Sequence, residues 1–125
     1  MNIDALEKVA VDALDDLKGQ QIVAINTEKK SPMFERVIIA SGQSTRQVKA
    51  LANHAGEKLR EAGLRPIGIE GEGNSEWVLV DCGAIVIHVM LPELRDYYRL
   101  EEIWQSENDA RFQTQYQDHQ TSKDQ

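Results

Sequence analysis

Apolar residues at Ile3, Leu6, Ala10, Ala13, Leu14 and Leu17 recur at the spacing of a helix with one buried stripe. Asp4 and Glu7 favour the positive end of its dipole, and Lys18-Gly19 predicts its close, a basic last turn followed by a glycine cap. The period then shortens. Residues 21–25 form an apolar run that predicts a strand, residues 26–33 a polar loop with Lys29-Lys30-Ser31-Pro32, and residues 34–40 a second strand near enough to pair antiparallel with the first. Ser44 is a good N-cap for a second helix, whose apolar positions Val48, Leu51, Ala52, Ala55, Leu59 and Ala62 follow one face and end at Gly63. Residues 64–69 predict a third strand, with Pro66 at its start or on an edge. The helix between it and the second strand implies a right-handed crossover and parallel strands.

Gly71-Glu72-Gly73-Asn74-Ser75 reads as a flexible turn into a fourth strand, Trp77-Val78-Leu79-Val80-Asp81. Asp81-Cys82-Gly83-Ala84 then reads as a tight turn into a fifth, Ile85-Val86-Ile87-His88-Val89-Met90, making a hairpin. Both strands are nearly continuous in apolar residues, which predicts burial on both faces. Pro92 suits the first turn of a last helix over residues 91–104. From Gln105 the chain is polar and glutamine-rich, with too little apolar surface to offset ordering entropy, so residues 105–125 read as a disordered tail. The expected architecture is one α/β domain over residues 1–104, a mixed five-stranded sheet flanked by helices.

Aromatic placement changes the picture more than composition does. Trp77 stands at the start of the fourth strand, while Tyr97, Tyr98 and Trp104 crowd the last helix beside Arg95, Arg99, Leu100, Glu101 and Glu102. One core-facing stripe cannot hide that many rings, and aromatic anchors ringed by polar groups are the composition of interface centres. With 14 basic against 21 acidic residues the net charge is −7, which disfavours gripping a phosphate backbone and favours a basic protein as partner. At 125 residues and 41% hydrophobic, the chain is long enough to bury a core unaided. Cys82 is its one cysteine, so no disulfide framework exists, and no apolar run is long enough to span a bilayer; a cytoplasmic protein is expected.

Ser41-Gly42-Gln43-Ser44, at a strand-to-helix junction, is the one place resembling a phosphate cradle. A metal-dependent transferase also needs paired carboxylates, and Thr45-Arg46-Gln47-Val48-Lys49 supplies none, so an ordinary N-cap is the stronger reading. Gly71-Glu72-Gly73 leads into a strand and is surrounded by glutamates, which argues against a nucleotide loop. His54, His88 and His119 share no metal-ligand spacing, and Cys82 has no local histidine. His88 reads as a residue satisfied at a sheet surface, with Asp81 across the hairpin a candidate partner. No cofactor, metal or catalytic residue is implied.

Five blocks carry a likeness to a known family: Asp16-Leu17-Lys18-Gly19; Val37-Ile38-Ile39-Ala40-Ser41-Gly42-Gln43-Ser44-Thr45-Arg46; Glu70-Gly71 leading to Trp77-Val78-Leu79-Val80-Asp81; Val86-Ile87-His88-Val89; and Arg95-Asp96-Tyr97-Tyr98-Arg99-Leu100-Glu101-Glu102-Ile103-Trp104. In unbroken order from Ile3 to Trp104, the chain closely resembles the Iojap-like ribosomal silencing factors. The resemblance implies a nucleotidyltransferase-like fold without the catalytic carboxylates. It also implies a non-enzymatic factor that binds the large ribosomal subunit through a basic protein of the subunit-joining face, ribosomal protein fourteen of that subunit. Bound there, it would block the small subunit when nutrients are scarce. Trp77, Asp81, Arg95, Tyr98, Leu100, Glu101 and Trp104 are the expected contacts or supports. This chain has Glu35-Arg36 where the family usually has an aspartate and an aromatic, Ala84 for an aspartate in the hairpin turn, and Gln47 for a histidine. Two rival readings remain open: a small nucleotidyl- or phosphotransferase using Gly42 and Ser44, and a homodimeric assembly adaptor whose rings pack across a two-fold axis.

Overall fold

Asn2 begins the first helix, α1 (Ile3–Asp16), its side chain accepting from the Ala5 amide at 3.1 Å. In the computed structural model the described residues are 2–104, so the tail expected over 105–125 lies outside them. The C-cap of α1 is Leu17, which leaves Lys18 beyond the last turn and without the basic role expected for it. Lys18, not the glycine, takes the left-handed backbone (φ 66°), while the Gly19 amide closes on the Leu14 carbonyl at 2.8 Å. Gly19 is required for space, since a Cβ there would stand 2.9 Å from that same carbonyl oxygen.

Strands β1 (Gln20–Asn26) and β2 (Arg36–Ser41) pair antiparallel, as their short separation predicts. Helix α2 (Thr45–Glu61) starts on Ser44, whose hydroxyl accepts from the Gln47 amide, and ends before Gly63, which sits at φ 101°. Strand β3 is only Gly68–Glu70, shorter than residues 64–69 because Pro66 has no amide to donate and the pairing with the neighbouring strand begins at Gly68. Strands β4 (Trp77–Asp81) and β5 (Ile85–Met90) form the expected hairpin.

The sheet order is β1-β2-β5-β4-β3, with β2 and β5 parallel and every other neighbouring pair antiparallel. The strands on either side of α2 therefore run in the same direction, as the crossover implies, but β5 and β4 lie between them. Two cores result. On one face Leu14, Leu51, Leu59, Val78, Val80, Ile85 and Ile87 pack beneath α1 and α2. On the other, Val23, Ile25, Val37, Ile39 and Met90 pack beneath the C-terminal segment.

That segment is not one helix. Helix α3 (Pro92–Tyr98) stops where Arg99 turns left-handed at φ 49°, and a 3-10 turn, Leu100–Ile103, follows in a new direction. A continuous helix would carry Leu100 away from the sheet; the break lets Leu100 join the second core. Nor are β4 and β5 buried on both faces: Val78, Val80, Ile85 and Ile87 are buried beneath the helices, whereas Trp77, Leu79, Asp81, Val86 and His88 on the other face are only partly covered. The short C-terminal segment cannot reach across five strands.

Arg36, at the first position of β2, is buried and gathers three carboxylates: Nε meets Glu7 at 2.8 Å, and the terminal nitrogens meet Asp4 at 2.8 Å and Glu28 at 2.5 Å. Burial opposes the charge, but the hydrogen bonds that the guanidinium donates to Glu28, Asp4 and Glu7 outweigh that and hold it above its ordinary pKa. One side chain thus ties α1 and the 26–35 loop to the sheet.

Gly71 sits at φ 92°, and a Cβ there would lie 2.0 Å from the Trp77 carbonyl oxygen, whereas Gly63 at φ 101° faces open space. Gly63→Ala should therefore cost about 1 kcal/mol from backbone strain alone, and Gly71→Ala clearly more, because β4 must also shift. Equal urea midpoints for the two variants would show that the turn into β4 is not constrained by this close approach.

Candidate partner-binding surface

Alternation along a strand decides which side chains share the sheet face opposite α1 and α2. Trp77 pairs with Met90, Leu79 with His88 and Asp81 with Val86, so these six stand on that face of the hairpin. The C-terminal segment then brings Tyr97, Tyr98 and Trp104 beside them, and the 26–35 loop brings Phe34.

The rings form a continuous ribbon. Tyr97 meets Tyr98 edge-on at 4.9 Å, Tyr98 lies 5.2 Å from Trp77, Trp77 5.9 Å from His88, His88 6.5 Å from Trp104, and Trp104 meets Phe34 edge-on at 5.9 Å. All fall within the range in which ring pairs attract. One edge is open: Tyr97 is 79% exposed, Tyr98 50% and Ile103 64%. Exposed acids Glu93, Asp96 and Glu102 stand on the same segment, with the exposed Arg99 paired to Glu102 at 3.5 Å, which leaves the segment net acidic.

His88 sits mid-ribbon. Its Nδ1 accepts from the Trp77 indole N–H at 3.0 Å, which assigns the remaining proton of the neutral ring to Nε2. Burial pulls its pKa down to about 4. Asp81, the partner expected from sequence, instead accepts from the Gly83 amide at 2.9 Å and shapes the hairpin turn. Trp77 and Asp81 both lie diagonally from His88 on this face; the indole has an N–H to satisfy and finds Nδ1, whereas the Asp81 carboxylate is taken up by the Gly83 amide. In that turn the Cys82 thiol is pushed up to about 11, chiefly by burial and also by the Asp81 charge, so it is a poor nucleophile.

Beneath the ribbon, Arg95 is 3% exposed. Its Nε donates to Glu101 at 3.1 Å and a terminal nitrogen donates to Ser41 Oγ at 3.1 Å, joining α3, the 3-10 turn and the end of β2. Burial lowers the Arg95 pKa, with the Glu101 charge opposing it. At the ribbon's far end the Lys30 ammonium donates to the Trp104 carbonyl, and Thr27 Oγ1 donates to the Phe34 carbonyl at 3.1 Å.

Of the residues singled out from sequence, Trp77, Tyr98 and Trp104 thus meet in one ribbon. Arg95 and Leu100 lie underneath it, Glu101 is partly covered, and Asp81 stands apart in the hairpin turn. Sequence reasoning missed Phe34, the indole bond to His88, Ser41 as an acceptor and the Lys30 clasp. Only the Trp77–His88 pair left a readable signal, through the hairpin register.

Ser44 serves as the N-cap expected of it: the Gln47 amide donates to Ser44 Oγ at 3.1 Å, while the Gln47 side-chain Oε1 accepts from the Gln43 amide at 2.7 Å. Gln47 Nε2 donates to the Leu17 and Lys18 carbonyls at 3.2 and 3.3 Å, tying the start of α2 to the end of α1. Among the described residues no group of three histidine, cysteine or carboxylate side chains could hold a metal ion, and no helix is long and apolar enough to cross a membrane.

Fold and surface define a small mixed α/β domain that presents an aromatic face on the open half of its sheet. The family model described as ribosomal silencing factor during starvation matches residues 1–125, and the chain belongs to this family. It is 51% identical to the ribosomal silencing factor RsfS of Chromobacterium violaceum over 83% of this chain and 85% of that protein. It is 36% identical to the factor of the same name from Haemophilus influenzae, over 80% of this chain and 98% of that one. A mouse protein named for mitochondrial assembly of the ribosomal large subunit is 33% identical over 78% of this chain and 46% of its own length. Among solved structures, a Chromobacterium violaceum protein of 51% identity superposes with a TM-score of 0.81, covering 83% of this chain and 87% of that one. One from Bacillus halodurans, at 37% identity, gives 0.72, covering 81% and 94%.

The His88 environment makes a pH prediction. Its folded pKa lies below the ordinary 6.5, so between about 6.5 and about 4 the unfolded state binds a proton that the folded state refuses, and stability falls as pH falls through that window. The urea midpoint should drop from pH 7 to pH 4.5 more steeply in the native protein than in His88→Gln. Parallel losses would exclude His88 as a source of acid lability.

Proposed function

We propose that the protein represses translation by docking its aromatic ribbon on a basic ribosomal protein at the subunit-joining face of the large ribosomal subunit, ribosomal protein fourteen of that subunit. The small subunit is then excluded sterically. The observation that carries the reading is an open ribbon of rings edged by acid, in a member of the ribosomal silencing family. The mouse relative's name, which concerns the ribosomal large subunit, supports the choice of subunit.

In this reading Trp77, Tyr98 and Trp104 are the anchors, and acids on the rim steer a cationic partner and fix its orientation. Arg95, Glu101 and Leu100 support the anchors from below, and Asp81 shapes the hairpin turn. The block needs no cofactor and no chemistry. Repression when nutrients are limiting agrees with the starvation description of the family.

The same open rings, with Ile103 beside them, favour a second reading in which two free molecules pack ribbon to ribbon. Such a dimer would compete with the ribosome. A mass that stays monomeric in light scattering at high concentration would exclude it.

Sucrose-gradient sedimentation with isolated large and small subunits, at increasing magnesium, tests the main reading. The protein should travel with the large subunit alone and suppress the joined-ribosome peak. Trp77→Ala and the more exposed Tyr98→Ala should each bind about tenfold or more weakly while keeping native circular dichroism. Undiminished binding by both folded variants would remove the ribbon as the docking surface.

A further inference from the structure

Tyr98 and Trp104 reach the ribbon from opposite sides of a chain reversal. Between them the left-handed Arg99 and the 3-10 turn Leu100–Ile103 redirect the backbone, and few local bonds fix the angle of that turn over the sheet. The Arg99 amide closes α3 on the Arg95 carbonyl at 2.9 Å, and the Glu102 amide reaches only back to Arg99 at 3.1 Å. Polar attachment comes from the Lys30 ammonium of the β1–β2 loop, which donates to the Trp104 carbonyl, and, to the sheet itself, from Arg95, whose guanidinium spans Glu101 on the turn and Ser41 at the end of β2.

We propose that Arg95 is a positioning residue for partner binding. By gripping Ser41 and Glu101 together, it sets where Trp104 stands relative to Trp77 and Tyr98 and so assembles the docking ribbon. The inference rests on the docking reading above. At 3% exposure Arg95 is not an outward contact, and it stands under the segment that carries both outer anchors. A planar fork suits this role, because two nitrogens held at fixed separation join two elements at a fixed distance, which a lysine ammonium cannot do. Leu100, buried beside the same turn, adds hydrophobic weight without fixing its angle.

Binding of the full chain to large subunits is measured for Ser41→Ala, Glu101→Gln and Arg95→Lys, each alone and with Trp104→Ala. Trp77→Ala serves as the control for the docking reading. Ser41→Ala is the gentlest variant, deleting one acceptor from a buried contact, and keeps the test meaningful if Arg95→Lys folds poorly. Each latch variant should lose about tenfold in affinity while retaining native far-ultraviolet circular dichroism, and tryptophan emission should shift to the red as Trp104 loosens. In the Trp104→Ala background the same substitutions should change affinity less than threefold, because the ring they position is gone. Native affinity in Ser41→Ala and Glu101→Gln, with Trp77→Ala released, would overturn the positioning role and leave docking intact. A full additive loss in the Trp104→Ala background would also overturn it, since the latch would then act on something other than ring placement. Undiminished binding by Trp77→Ala would bring down the docking reading and this inference with it.

Discussion

The structure depends on keeping β2 dry. All six of its residues, Arg36–Ser41, are buried, and a strand buried on both faces needs a cover on each side. Helices α1 and α2 supply one cover and span most of the sheet. The other is the short C-terminal segment, which closes over β1, β2 and the end of β5 and then runs out. The remaining half of that face is finished by rings, half in the core and half in water.

Each end of β2 is held by a buried guanidinium. Arg36 opens the strand and draws in Asp4, Glu7 and Glu28; Ser41 closes it and receives Arg95, which also holds Glu101. Both arrangements join segments far apart in sequence, and both use the several directed donors that arginine offers. Isolated surface pairs such as Lys8–Asp12 add little by comparison, being exposed to solvent and screened by salt. The first cluster secures the helical layer and the long β1–β2 loop. The second ties α3 and the 3-10 turn to the end of β2, beneath the rings.

Charge and shape divide the labour on that face. In the proposed docking, the rings would provide area buried at low entropic cost and the acids would discriminate among partners by sign. Family membership gives this arrangement its biological setting, and at the Ser44 junction the Gln47 side chain accepts from the Gln43 amide and donates to the Leu17 and Lys18 carbonyls, holding α1 to α2.

Local periodicity was enough to determine the order of elements, the Ser44 cap, the β4–β5 hairpin and the antiparallel β1–β2 pair, because each depends on residues near one another in the chain. The crowding of Trp77, Tyr98 and Trp104 was equally legible, as a surplus of rings over what one helical stripe can bury. Only the tertiary structure decided that β5 inserts beside β2, that α3 breaks at Arg99, that one face of the hairpin stays half open and that His88 answers Trp77 and not Asp81. From sequence Arg95 is expected as a contact or a support, and only the fold decided that it is buried against Ser41 and Glu101. The division has one physical cause: spacing along the chain fixes short-range hydrogen bonds and amphipathic stripes, whereas burial of a charge or a ring depends on which distant segment covers it.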